Sequence, residues 1–318
     1  MTDPASKIHS PAHEALAADR YRRSRGFWRW LAFLAAAIAI FALVGRFVLP
    51  GEAGGERIAR VTISGTISTD AQRVALLDEL AEDDGVKAVI VAINSPGGTT
   101  AGGEELYEDL RRLSEAKPTV AVIRELGASA AYMTALGTDQ IFARRLSIVG
   151  SIGVLFQHVN AGKLLDTIGI DLDKVASGPL KAEPDINEPI SPEVRASIAA
   201  LVGDSFDWFV DIVAERRNMD EARARSLADG RIVTGRVGVE TGLIDAIGGE
   251  REALVWLESE HGIDKDLNIV QAWPLPRGNY GWVADFVSGS ARSILGLEGQ
   301  GPVMLDGLIS LWQVEPIP

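Results

Sequence analysis

The sequence predicts an α/β protein built on a largely parallel sheet covered by helices, preceded by one helix that crosses a membrane. Three observations predict it. Short β-type runs alternate with segments of helical spacing from Ile58 onward. The run Val86–Ile93 (VKAVIVAI) is nearly continuously apolar, as a strand buried on both faces must be. Near the N-terminus, Phe27–Leu49 gives 23 mostly apolar residues, above the roughly 20 that a membrane helix needs.

Within that N-terminal stretch, Trp30–Gly45 (WLAFLAAAIAIFALVG) is uncharged, and Arg29 and Arg46 stand where long side chains can snorkel to the interface. Residues 1–29 carry Lys7, Arg20, Arg22, Arg23, Arg25 and Arg29 against Asp3, Glu14 and Asp19, while the whole chain has a formal charge of −13. A basic flank before the span and an acidic body after it predict a single-pass protein of the cytoplasmic membrane. Residues 1–26 are then cytoplasmic, 27–49 the anchor, 50–56 a Gly-rich linker (PGEAGGE), and the body lies on the extracytoplasmic side. A cleaved signal peptide is the competing reading, with Gly51-Glu52-Ala53 as a weak cleavage site.

The elements of the body follow in order. Ile58–Ile63 reads as a strand, Ala71–Ala81 (AQRVALLDELA) as a helix with apolar residues at helical spacing, and Val86–Ile93 as the buried strand. A helix over Gly102–Ser114, a strand over Thr119–Ile123 and a helix after Ser129 come next. Short strands are expected near Gln140–Phe142 and over Ser151–Leu155, and a helix over Gly162–Ile168. From Pro192 to His261 the pattern is mainly helical, interrupted at Arg231–Val233 and Leu243-Ile244. Residues 57–262 therefore form the main domain. Residues 263–318, with Trp273, Trp282, Phe286 and Trp312 and little charge, form an extension suited to packing or subunit contact.

Composition narrows the chemistry. The chain has no cysteine, which excludes disulfides and thiol catalysis, and its acidity argues against a nucleic-acid partner. With 47% apolar and 24% charged residues it is a folded protein. Four histidines exist; His9 and His13 fall in the tail, His261 closes a charged helix, and His158 has no motif around it. A Ser-His-Asp triad and a histidine-rich metal site are both disfavoured, and no metal or cofactor is expected.

Two motifs remain. In Gly127-Ala128-Ser129-Ala130-Ala131-Tyr132 a lone hydroxyl stands among very small residues where a strand gives way to a helix. Serine there serves either as an ordinary N-cap or as a nucleophile on a strand-to-helix turn. In Asn94-Ser95-Pro96-Gly97-Gly98 paired glycines follow a buried strand, an arrangement that can point a backbone N–H into a site as an oxyanion donor. The phosphate-loop alternative fails because the Gly-Lys-Ser/Thr ending is absent. A serine nucleophile needs a base. Without a suitable histidine, lysine is the remaining choice if its surroundings lower its pKa. Of the lysines outside the tail, Lys163, Lys174 and Lys265 have acidic sequence neighbours, and Lys87 and Lys117 sit beside the loops that lead into strands. Lys181, in Ser177-Gly178-Pro179-Leu180-Lys181-Ala182, is set among small and apolar residues.

NSPGG, GASAAY, SIVGSIGV (Ser147–Val154) and SGPLKA, in this order behind an N-terminal anchor, resemble the short, single-repeat form of the signal peptide peptidase A family. The resemblance covers roughly Ile58–Gly262. It implies a crotonase-like fold related to the Clp protease subunit, and a serine endopeptidase acting on remnant signal peptides. Carried over, it makes Ser129 the nucleophile, Lys181 the general base, and Ser151 the serine that holds the lysine amine. Gly98 matches one oxyanion donor, with the Ala130 N–H as the second. The family usually has glycines after the nucleophile; Ala130 and Ala131 keep the backbone N–H but narrow the pocket. Apolar peptides are expected to bind as an added strand along Gly153, Val154, Leu155 and Phe156.

Ser129 and Lys181 are far apart in sequence, and single-repeat members of the family solve this by assembly. The expectation is a homo-oligomer whose Lys181 serves the adjacent Ser129. A hydratase or isomerase of the crotonase type and a catalytically silent membrane scaffold are the alternative readings.

Overall fold

The computed structural model describes residues 28, 30–38 and 55–274 and the backbone of residues 309–311. The chain divides into two units, residues 1–53 with 277–297 and residues 54–276 with 298–318. In the first, residues 30–38 are helical, and Trp30, Phe33 and Ile38 expose their side chains. The rest of the predicted anchor and the tail with His9 and His13 lie outside the described residues. Among the described residues no helix is long and apolar enough to cross a membrane.

The second unit is a mixed α/β domain. It runs β1 (Arg57–Ser64), α1 (Ala71–Glu82), β2 (Val86–Ser95), β3 (Gly97–Thr99), α2 (Thr100–Ala116), β4 (Thr119–Ala128), α3 (Ala130–Leu136), β5 (Gln140–Ala143) and β6 (Ile148–Gly150). There follow α4 (Gly162–Ile168), α5 (Pro192–Arg216), α6 (Glu221–Leu227), β7 (Ile232–Thr234), α7 (Gly235–Thr241), β8 (Ala246–Ile247), α8 (Glu250–His261), β9 (Asn268–Trp273) and β10 (Ile309–Leu311).

The main sheet has the order β7-β6-β4-β2-β1-β9, with β5 and β8 attached through β4. All its pairings are parallel except β6 with β7. Strand alternation sorts side chains into two layers. Ile58, Ala88, Ile90, Val120 and Val122 pack with Ala253 and Leu257 of α8 on one face. Val61, Ile63, Val89, Val91, Ile93, Ala121 and Ile123 pack with Leu77, Leu106, Leu110, Tyr132 and Phe209 on the other. With both faces covered, β2 has no need of a polar face, which is why its sequence reads as one apolar run. Each large side chain so buried contributes about 1.5–3 kcal/mol.

Two expectations change at this level. The strand predicted over Ser151–Leu155 is not formed: β6 ends at Gly150, where φ turns to 91°, and only Leu155 makes an isolated bridge beyond it. The domain also extends past residue 262. Asn268–Trp273 adds to the sheet edge as β9, parallel to β1. Trp273 therefore belongs to the main domain, while Trp282, Phe286 and Trp312 lie outside the described residues.

A second, two-stranded sheet positions the Gly-rich loop. β3 pairs antiparallel with β10 and touches Ile67 through a parallel bridge to Gly98.

Candidate active site

Parallel strands in register bring their carboxyl ends to one edge, where open α/β sheets place their ligands. Ser95 of β2 lies opposite Gly127 of β4, and Ala128 of β4 opposite Gly150 of β6. The loop carrying Gly98, the turn carrying Ser129 and the turn carrying Ser151 thus leave neighbouring strands at the same level.

Ser129 occupies the N-cap position of α3, 1% exposed, with φ 59° and ψ −124°. That conformation is the first central position of a type II′ turn, which favours glycine because a Cβ there is strained. The N-cap explanation does not hold, because the side chain makes no capping hydrogen bond. The backbone closes the turn instead: the Ser129 carbonyl accepts from the N–H groups of Tyr132 at 2.8 Å and Met133 at 3.0 Å. β4 also runs to Ala128, five residues beyond the predicted Ile123, so the strand delivers the chain directly into Ser129.

The neighbouring turn repeats the theme. Gly150 has φ 91° and Ser151 φ 54°, and Ser151 is buried. Its N–H donates to the Arg231 carbonyl at 2.8 Å, next to the antiparallel β6–β7 pairing.

Gly98 is glycine for a steric reason. A Cβ at that position would lie 1.8 Å from the Ile67 carbonyl oxygen. Gly103 likewise lets α2 approach α3, since its Cβ would stand 3.0 Å from the Cβ of Ala130 and 2.8 Å from Met133 Sδ. Two side chains that the sequence reading passed over brace the loop. Ser95 is fully buried, donates from Oγ to the Gly65 carbonyl at 2.7 Å and accepts from the Gly97 N–H at 3.1 Å. Asn94 Oδ1 accepts from the Leu126 N–H at 3.2 Å, tying the ends of β2 and β4. Their position in front of the proline was the available signal.

The lysines sort by partner. Lys87 pairs with Glu56, Lys265 with Glu258, and Lys174 with Asp185 at 2.8 Å and also with Glu183. Lys117 donates to the Val86 carbonyl at 2.9 Å. The ammonium groups of Lys163 and Lys181 make no such contacts among the described residues. Lys181 is, however, exposed, on a turn closed by its N–H to the Gly178 carbonyl at 3.1 Å. The desolvated lysine expected from its apolar sequence neighbours is not present within one chain, because Leu180 beside it is exposed as well. Around it the segment from Leu155 to Ile186 leaves Val159, Leu164, Ile168, Leu172 and Val175 in solvent. Gly153, Val154 and Phe156 are half-buried and Leu155 exposed, and none belongs to a strand. His261 closes α8 and packs edge-on against Trp256, 4.8 Å between ring centres.

Comparison with known proteins places the chain in a family. Residues 111–264 match the model of peptidase family S49. The chain is 34% identical over 212 residues to a protein of Synechocystis sp. named as a candidate protease, an alignment covering 66% of this chain and 76% of the relative. It is 31% identical over 222 residues to a candidate signal peptide peptidase SppA of Enterococcus faecium, covering 65% of this chain and 64% of that one. It is 28% identical over 300 residues to the chloroplastic serine protease SPPA of Arabidopsis thaliana, covering 91% of this chain and 42% of that longer protein. The chain belongs to peptidase family S49 and is a member of the signal peptide peptidase A family.

Proposed function

We propose that the chain is a serine endopeptidase in which Ser129 is the nucleophile and Lys181 the general base. Lys181 Nζ takes the proton as Ser129 Oγ attacks a peptide carbonyl. The N–H groups of Gly98 and Ala130 stabilise the oxyanion, and Ser151 orients the lysine amine. Collapse of the tetrahedral intermediate breaks the C–N bond, and the proton passes to the leaving amine. Water then cleaves the acyl-enzyme ester by the reverse route.

The observation that carries the reading is Ser129 itself. A buried serine held at φ 59° and ψ −124° carries strain that an ordinary helix start does not need. A nucleophile delivered from the carboxyl end of a strand into a sharp turn does need it.

The base has to come from elsewhere than the exposed position it occupies in one chain. The exposed apolar segment around Lys181 is the surface that a second copy would cover, and covering it would supply the desolvation that lowers a lysine pKa. A homo-oligomer sharing Lys181 across its interface is therefore part of the proposal. So is anchoring in the cytoplasmic membrane through Phe27–Leu49, with the body outside and apolar peptides such as cleaved signal peptides as substrates. The exposed apolar side chains of residues 30–38 and the basic flank support that placement.

A fluorophosphonate probe tests the chemistry. Covalent labelling of the wild type at Ser129, absent from Ser129→Ala, is the expected result. A hydratase or isomerase working without a covalent step, or a silent scaffold, would leave Ser129 unlabelled. Protease added to spheroplasts tests the topology: the body should be digested and a tag at residue 1 spared.

A further inference from the structure

Along the strands, the α8 face of the sheet changes character. Ile58, Ile90, Val120 and Val122 pack with Ala253 and Leu257 of α8. Residues two apart on a strand share a face, so on this side Arg60 follows Ile58, Ala92 follows Ile90 and Arg124 follows Val122. There, at the start of α8, a cleft of about 290 Å³ opens. Its floor is Thr62, Ala92 and Val122, in register on β1, β2 and β4, and Arg60, Arg124 and Arg144 stand around it. The Ser129 turn opens α3, which packs on the opposite face.

Three guanidinium groups around one cleft stand out in a chain of formal charge −13. Two carboxylates at the start of α8 balance part of their charge. Arg60 Nη2 donates to Glu250, yet the Arg60 Nε–H is buried without an acceptor. Glu252 lies near Arg144, and its Oε2 accepts from the Gly249 N–H at 2.8 Å. Arg124 and Arg144 form no salt bridge among the described residues. The N-cap of α8 is Gly249, which has no side chain to accept from the first-turn N–H groups. Space does not demand glycine there: φ is −133°, and an added Cβ would meet nothing closer than 3.6 Å. A capping Asp or Ser would fit, and glycine leaves the helix start open toward the cleft.

We propose that this cleft binds a phosphate group, held by Arg124, Arg144 and the N-terminus of α8, with Arg60 forming one wall. Open α/β sheets take ligands beyond the carboxyl ends of their strands, and a helix start attracts an anion through its unpaired N–H groups and its dipole. A carboxylate is satisfied by one guanidinium fork. A phosphate monoester brings about two charges and three terminal oxygens, which suits two free forks and a helix start together. That chemistry belongs equally to a soluble phosphate ester and to a lipid headgroup. The site is separate from Ser129, and its occupancy does not depend on the peptidase reading.

The test is isothermal titration calorimetry on the full-length chain in a neutral detergent. The probes are glycerol 3-phosphate, dihexanoyl phosphatidic acid below its micellar concentration, and pentaglutamate. Glycerol 3-phosphate should bind saturably at one site. The double variant Arg124→Gln/Arg144→Gln, which changes two exposed side chains, should weaken that binding by about tenfold or more. Gly249→Asp should weaken it by about tenfold as well, because its carboxylate takes the place of the phosphate at the helix start. Aspartate is a preferred N-cap, so a loss of affinity in this variant is not a loss of fold. Tighter binding of dihexanoyl phosphatidic acid than of glycerol 3-phosphate supports the site as one for a lipid headgroup. Equal or weaker binding supports a soluble ester. Absence of saturable binding by both phosphate probes would overturn the proposal, as would a Kd that neither variant changes. Binding of pentaglutamate where both phosphates fail would overturn it in favour of an acidic peptide.

Discussion

The N–H of Ser129 donates to the carbonyl of Gly150 at 2.8 Å, so the turn bearing the proposed nucleophile is hydrogen-bonded to the residue just before Ser151. Ser151 in turn donates its N–H to the Arg231 carbonyl. One backbone chain thus links two buried serines, both at positive φ, across the ends of β4 and β6. Strained residues persist where their surroundings over-determine them, and this linkage is what fixes both turns.

From that strain follows a separation of stability from activity at position 129. Ser129→Ala keeps the Cβ and the strain, whereas Ser129→Gly removes both hydroxyl and strain. Peptide hydrolysis should fall by several orders of magnitude in each. Urea unfolding should find the glycine variant more stable than the alanine variant by about 1–2 kcal/mol, the usual cost of a side chain at such a φ. Equal stabilities would mean that the turn is not strained, and near-normal activity in either variant would remove Ser129 from the mechanism.

Gly98→Ala should be damaging out of proportion to its size. The added methyl would have to displace the Ile67 carbonyl that holds β3, and overpacking of this kind costs about 1–3 kcal/mol. Because the same movement shifts the proposed oxyanion N–H, kcat should drop even in the fraction that remains folded. Circular dichroism melting alongside a kcat measurement separates the two effects. A variant with wild-type kcat would take Gly98 out of the oxyanion site.

Behind α3, Tyr132 is fully buried and donates its hydroxyl to the Leu243 carbonyl at 2.6 Å. Burial raises the phenol's pKa well above its ordinary value, so it stays a neutral donor across the working pH range. Tyr132→Phe strands that carbonyl and should cost about 1–3 kcal/mol in thermal or urea unfolding. Activity per folded molecule should be retained, as the ring still fills its place. A stability change below about 0.5 kcal/mol would indicate that water satisfies Leu243 instead.

The sheet was legible in the sequence because periodicity and burial are local signals. Val86–Ile93 announced a strand covered on both faces, and Gly127–Tyr132 a strand-to-helix junction of small residues. The end of β6 was misread because nothing in Ser151-Ile152-Gly153-Val154-Leu155 shows that Gly150 and Ser151 both turn to positive φ. β9 was missed for a different reason. Asn268–Trp273 becomes a strand only by adding to the edge of β1, at the far end of the domain's sequence, and no local pattern carries that. Ser95 and Asn94 escaped notice since their importance lies in which backbone groups they reach. Lys181 shows the limit most plainly: apolar sequence neighbours suggested a dry environment, yet in one chain Leu180 and Lys181 both face solvent.

That exposure gives the last prediction its form. A lysine serves as a general base only in its neutral form, which burial away from water favours. Within one chain, Lys181 sits on a segment whose apolar side chains Leu164, Ile168, Leu172 and Val175 are uncovered, and a neighbouring copy docking there would dry it. If that neighbour also brings its Ser129 turn to the lysine, each site is shared between two chains. Ser129→Ala and Lys181→Ala, each inactive alone, should then regain activity when unfolded together and reassembled. In a closed ring of randomly mixed subunits, about a quarter of the interfaces would pair an intact serine with an intact lysine, setting roughly 25% of wild-type activity as the expected ceiling. Size-exclusion chromatography with light scattering must show the mixed oligomer, so that recovery is read on assembled protein. Assembled mixtures that stay inactive would mean that the dyad closes within one chain, through a movement of the Lys181 segment onto its own Ser129.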